Sequence, residues 1–118
     1  MSKTLRLLLV DDSEDDAELI LREIRKGGYD PHWERVCTRA ELGPMLDGRI
    51  WDLIICDHVL PGFSSFEALD MIRSRDLDLP VLVVSGAVPE DVVTSVMRAT
   101  RRASLRAGVS VPLLKKWR

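Results

Sequence analysis

The sequence predicts an α/β fold in which a parallel β-sheet is covered by helices on both faces. Three observations carry this prediction. Leu7-Leu8-Leu9-Val10, Leu53-Ile54-Ile55-Cys56 and Val81-Leu82-Val83-Val84 are continuous apolar runs without polar alternation, the pattern of strands buried on both faces. The segments between them place apolar residues at helical spacing behind capping signals, which is the βα alternation of a parallel sheet. With 118 residues, the chain makes one domain with a core large enough to stand without disulfides or structural metal.

The first strand stops abruptly at Asp11-Asp12. Ser13 is placed to cap a helix with Asp16 favourable in its first turn, and Ala17, Ile20, Leu21 and Ile24 form the buried face. Gly27-Gly28 ends that helix. Pro31 is expected to open a second strand, His32 to Cys37, with Trp33 and Val36 as its bulky members. Thr38-Arg39-Ala40-Glu41 has capping-box spacing and starts a second helix, made short or irregular by Gly43-Pro44 and fading near Asp47-Gly48. The next apolar strand ends at Asp57. The loop His58-Val59-Leu60-Pro61-Gly62-Phe63 follows, with Pro61-Gly62 as its turn signal. Ser64 and Glu67 repeat the capping box before a helix that buries Ala68, Leu69 and Ile72. Leu79-Pro80 leads into the third apolar strand, which ends in Ser85-Gly86-Ala87. Pro89-Glu90-Asp91 then starts a helix with Val92, Val93, Val96 and Met97 inward. Trp33 and Trp51 read as packing residues, Ser64-Ser65 as caps rather than nucleophiles, and His58 as a loop residue with no catalytic role.

A composition of 46% hydrophobic and 31% charged residues is that of an ordinary soluble domain. No apolar run approaches the roughly 20 residues needed to span a bilayer, and no signal peptide is recognisable. Cys37 and Cys56 lack metal-ligand spacing and are expected as buried free thiols in a reducing cytoplasm. The net charge of −2 hides an asymmetry. Residues 1–91 hold 10 Lys+Arg and 19 Asp+Glu, whereas residues 92–118 hold 7 Lys+Arg and no acid. A basic end of this kind is either simply solvated or faces an anionic partner.

In parallel sheets, ligands bind outside the carboxyl ends of the strands, near a topological switch point. That rule brings together Asp11, Asp12, Asp57 and Ser85. Each acid alone is explained by a cap or a turn; a site built from three strand ends is harder to explain that way. Three carboxylates form a hard oxygen pocket suited to Mg²⁺ or Mn²⁺. The hydroxyl and backbone amides at Ser85-Gly86-Ala87 offer neutral donors to an anion. One carboxylate could then act as nucleophile and give an aspartyl-phosphate.

VDDSEDD, the strand LIICD with its loop HVLPGF, and VLVVSGAVPED, in this order and spacing, resemble the receiver domain of two-component response regulators over residues 5–99. The resemblance implies a flavodoxin-like (βα)5 doubly wound sheet of order 2-1-3-4-5. It implies that Asp57 takes a phosphoryl group from a histidine kinase or phosphotransfer domain. Asp12, Asp57 and the Val59 carbonyl would hold Mg²⁺ (or Mn²⁺), with Asp11 acting directly or through water. Ser85 would be the hydroxyl switch, and Ser85, Gly86, Ala87 and Val59 would surround the phosphoryl group. Such a domain is a phosphoacceptor rather than a turnover enzyme, with no membrane and, within this chain, no nucleic acid among its partners.

Residues 100–118 depart from that pattern. Receivers continue with a GAxDYLxK-like segment and a fifth helix. Counting on from Ser85 without a gap puts Thr100 at the Gly position, Ser104 at the aromatic position and Ala107 at the Lys position. The fifth helix is therefore expected to be short or missing. Lys115 or Lys116 is left to supply the absent charge, and a homodimer through the tail is an expected consequence. A shifted reading frame near residue 100 and a natural divergent tail both account for the composition. Two alternatives to a working phosphoacceptor follow. One is a degenerate pseudo-receiver that acts as a protein-interaction module. The other is an aspartate-nucleophile phosphohydrolase, disfavoured because Val59 stands where such enzymes carry an acid.

Overall fold

A computed structural model of the chain describes residues 3–57, 59–60, 62–75, 77, 79–86 and 113–116. Its elements are β1 (Lys3–Val10), α1 (Glu14–Lys26), β2 (Tyr29–Val36), α2 (Arg39–Gly48), β3 (Leu53–Asp57), the short β4 (Val59–Leu60) and β5 (Phe63–Ser64), α3 (Ser65–Ser74), β6 (Val81–Gly86) and β7 (Leu113–Lys116). Five strands form one parallel sheet in the order β2-β1-β3-β6-β7, and β4 pairs with β5 in a separate antiparallel hairpin. Counting only the strands of the large sheet, this is the 2-1-3-4-5 order. The order reverses between β1 and β3, which is the switch point.

Side-chain alternation along the central strands builds two cores at once. Leu5, Leu7 and Leu9 of β1 face α1 and pack with Ile20, Leu21 and Ile24. Leu8 and Val10 face the other way, among Leu42 and Leu46 of α2 and Leu69 and Ile72 of α3. Continuous apolar strands are needed because both faces are covered, and every residue of β3 is buried.

The three expected caps are present. Ser13 Oγ accepts from the Asp16 amide at 3.2 Å, Thr38 Oγ1 from the Glu41 amide at 3.2 Å, and Ser64 Oγ from the Glu67 amide at 3.3 Å. The return arms of the capping boxes differ from expectation. Glu41 Oε1 accepts from the Cys37 amide at 3.0 Å, one residue before the cap, and Glu67 is held by Arg39 of α2. Gly28 ends α1 with φ of 93°, and Gly62 turns the β4–β5 hairpin with φ of 71°.

Three sequence expectations need correction. β2 starts at Tyr29, ahead of Pro31, and ends at Val36; its register with β1 runs unbroken from Lys3↔Tyr29 to Val10↔Val36. A proline is tolerated there because β2 is an edge strand. Trp33 is 38% exposed on that edge, whereas Trp51 is buried and its indole N–H donates to the Met45 carbonyl at 2.9 Å. Cys37 is half-buried rather than buried, while Cys56 is buried. The fifth strand of the sheet is Leu113–Lys116. His58, Ala87, the helix expected after Pro89, Thr100, Ser104 and Ala107 lie outside the described residues.

Candidate functional site

The site is assembled at the carboxyl ends of β1 and β3. Asp11 leaves β1 held through both its main chain and its side chain. Its amide donates to the Val36 carbonyl at 3.0 Å, its carbonyl accepts from Arg35 Nη1 at 3.1 Å, and its Oδ1 accepts from the Ser13 amide at 2.9 Å. The last of these is an Asx-turn, which redirects the chain into the Ser13 cap and hence into α1. Asp11 is therefore buried with one carboxylate oxygen committed to the turn, and Asp12, next in line, is exposed. Asp57 ends β3 at 4% exposure, in register with Val84 of β6.

One carboxylate oxygen from each of Asp11, Asp12 and Asp57 lies within 4.8 Å of the others. Oxygen ligands on opposite sides of a Mg²⁺ stand about 4.2 Å apart, since each bond is 2.0–2.1 Å. Adjacent ligands stand about 2.9 Å apart, so the three oxygens, grouped within 4.8 Å, would draw inward to share one ion. Two buried acids and one exposed acid also leave a solvent side for the retained waters that Mg²⁺ prefers. The all-carboxylate donor set fits a hard divalent cation rather than a soft metal.

The surroundings register the same charges. Burial, then the carboxylates of Asp57 and Asp11, push the Cys56 thiol up to about 12. The Cys56 Sγ donates to the Asp57 carbonyl at 3.3 Å. At the rim, Glu41 accepts from Cys37 Sγ, which raises that thiol, and the bonds from Cys37 and Thr38 hold the Glu41 carboxyl below its usual range.

The remaining sequence-predicted residues are placed by the backbone. Val59 lies in β4, whose pairing Val59↔Ser64 and Leu60↔Phe63 ties the chain after Asp57 to the start of α3. Ser85 and Gly86 end β6, one and two residues beyond the Asp57↔Val84 pair. Their register partners across the sheet are Lys115 and Lys116. Asp11, Asp12 and Asp57 are thus brought together as side chains, and Ser85 and Gly86 lie at the same sheet end. Sequence reasoning missed Arg35. Its signal was faint: a basic residue at the end of the strand beside the acidic one.

Comparison with known proteins agrees with this architecture. A family model described as the response regulator receiver domain matches residues 7–111. The autoinducer 2 sensor kinase/phosphatase LuxQ of Vibrio cholerae is 31% identical over 113 residues, which is 96% of this chain. The chain spans 12% of that relative's length. Among solved structures, the signal receiver domain of a Luxo repressor protein from Vibrio parahaemolyticus superposes with a TM-score of 0.69 at 25% identity, covering 86% of this chain and 94% of that one. The Francisella response regulator 1452 receiver domain gives a TM-score of 0.70 at 16% identity, covering 83% and 98% of the two chains. The receiver domain of a Pseudomonas aeruginosa sensor histidine kinase, solved with a magnesium ion in its active site cleft, gives 0.62 at 21% identity, covering 98% and 86%. With its family match spanning most of the chain and its sheet order and acidic strand ends agreeing, the protein belongs to the response regulator receiver domain family.

Proposed function

We propose that this receiver domain is a Mg²⁺-dependent phosphoacceptor whose Asp57 takes a phosphoryl group from a phosphohistidine. The observation that carries the reading is the meeting of Asp11, Asp12 and Asp57 at the carboxyl end of the parallel sheet. Asp57 would attack phosphorus in line; the new O–P bond replaces the P–N bond, and the imidazole leaves as it takes up a proton. Bound Mg²⁺, or Mn²⁺, would neutralise charge on the phosphoryl oxygens. Asp11, pinned in its turn, and Asp12, open to solvent, would hold the cation with Asp57 and the Val59 carbonyl. The Ser85 hydroxyl and the amides of Gly86 and Ala87 would receive the phosphoryl oxygens. The incoming group adds about −1.5 to −2 charges, so the loops that take up that charge are the switching element.

The positive charge expected at Ala107 would instead come from Lys115 or Lys116. The support is register: β7 puts both lysines at the end of the fifth strand, level with Ser85 and Gly86. The donor would be a histidine kinase or a phosphotransfer domain, as membership of the receiver family suggests, and the domain would act as a phosphoacceptor rather than a turnover enzyme. We place it in the cytoplasm, where such donors are charged; among the described residues no helix is long and apolar enough to cross a membrane.

The test is incubation with acetyl phosphate and Mg²⁺, followed by intact mass and acid-lability measurements. One phosphoryl group, absent in Asp57→Asn and in excess chelator, is the expected result. Labelling that persists in Asp57→Asn would reject Asp57 as acceptor. A second reading, a pseudo-receiver that binds partners without a phosphorylation cycle, is favoured by Ala107 at the expected Lys position. Tight Mg²⁺ binding without labelling would select it.

A further inference from the structure

We infer that Arg35 is a positioning residue for the divalent-cation site, an inference that rests on the metal-binding reading of Asp11, Asp12 and Asp57. Arg35 lies at the end of β2, opposite Leu9 of β1 in the ladder, and reaches across the neighbouring strand end. Its Nη1 donates to the Asp11 main-chain carbonyl at 3.1 Å, and its Nη2 to Glu14 Oε1 at 3.3 Å. One guanidinium thus ties together the first residue of the turn and the first residue of α1, with Asp12 and Ser13 between them. The Asp11 carboxylate is oriented by the Ser13 amide inside that same turn. Arg35 therefore fixes both ends of the segment that carries two of the three acids.

The geometry distinguishes this role from simple charge balance. Arg35 bonds the main chain of Asp11 rather than its carboxylate, so it does not compete for the metal-facing oxygens. Its side chain is 24% exposed, whereas Glu14 is 83% exposed. Energy therefore resides mainly in the carbonyl contact, since the exposed ion pair contributes little. A planar fork can satisfy both acceptors together, which a single ammonium cannot do with the same geometry.

The sign of the effect on metal affinity decides between the two roles. If Arg35 acted only as a positive charge beside three carboxylates, its removal would tighten divalent binding. If it positions the turn, removal loosens the acids and weakens binding. Groups that orient metal ligands from behind typically matter by about tenfold or more in affinity.

The experiment is calorimetric titration of the full chain with Mg²⁺, repeated with Mn²⁺, on wild type, Arg35→Met, Arg35→Lys and Arg49→Met. Arg49 supplies the control because its pair with Glu34 lies away from the acids. We expect Arg35→Met to weaken binding about tenfold, Arg35→Lys to recover part of that loss, and Arg49→Met to bind as wild type does. Hydrogen exchange on the metal-free proteins gives a readout independent of any cation: the Ser13 amide exchanges faster in Arg35→Met. Thermal melts in chelator confirm that each variant is folded. Arg35→Met binding as tightly as wild type, or more tightly, would overturn the role of Arg35 alone. Wild type binding neither cation would overturn the metal reading together with it.

Discussion

Replacing Asp57 by Asn should stabilise the metal-free protein. Asp57 and Asp11 are both 4% exposed, and their facing oxygens lie within 4.8 Å. At an effective dielectric of ~20, two unit charges at that separation repel by about 3 kcal/mol. Asp57 is remote in sequence from Asp11 and Asp12, so this repulsion arises on folding and vanishes in the unfolded chain. Solvent reaching the site through the exposed Asp12, together with the further contacts that Asp11 and Asp57 make, offsets part of it, leaving a net gain of about 1–2 kcal/mol for the neutral isostere. For a domain of this size that is roughly 4–8 °C in Tm. Asp12→Asn should gain less, because Asp12 is exposed and its repulsion with adjacent Asp11 exists in both states. Magnesium should then invert the order. A ligand at a hundredfold its Kd stabilises the folded state by about 2.7 kcal/mol, and Asp57→Asn forfeits most of it. The assay is thermal unfolding of both proteins in chelator and in saturating Mg²⁺. An Asp57→Asn protein no more stable than wild type in chelator would refute the reasoning, since the carboxylate would then be held by bonds that outweigh its repulsion.

Further outcomes follow from other sites. Gly28→Ala should lose about 1 kcal/mol from the positive φ alone, since nothing lies within 4 Å of the added methyl; Gly28→Asn should lose less, and equal stability of all three proteins in urea would contradict the backbone argument. Hydrogen bonds from Arg6 hold the Asp52 carboxyl below its usual range, against partial burial. With a depressed folded-state pKa, its contribution is complete above the ordinary value of about 4 and is lost as pH falls through the folded value. The stability gap between wild type and Asp52→Asn should therefore hold from neutral pH to about 5 and close under stronger acid. A gap that widens on acidification would exclude this linkage. With its thiol raised to about 12 by burial and the neighbouring acids, Cys56 should react with a thiol reagent only at the rate of unfolding. Prompt labelling of native Cys37→Ser at pH 8 would show otherwise.

How much could be read from the residues follows from the range of each interaction. The caps at Ser13, Thr38 and Ser64 bond an amide three residues on, and such contacts are spelled out in the local sequence. The two-sided core was equally legible, because strands covered on both faces cannot afford polar alternation. The acids at the strand ends were visible as interruptions of apolar runs, and the α/β alternation told where those ends meet. Arg35 was not legible, because its contact with Asp11 joins residues on neighbouring strands. Neither was the true start of β2: Pro31 looks like a boundary, yet the ladder with β1 overrides the local signal. Trp33 failed for a related reason, since periodicity does not tell an edge strand from a central one.

Pro31 has a further consequence for the company this domain can keep. The outer rim of β2 is where another chain would add a strand, and an unprotected rim is a template for runaway stacking. Pro31 offers no N–H to such a guest, and exposed Asp30 and His32 flank it with Glu34 and Arg35 farther along. A foreign strand would lose a bond at the centre and meet charge on either side. The rim is in effect sealed against sheet extension, so crowding many copies together should not zip them into fibrils along β2.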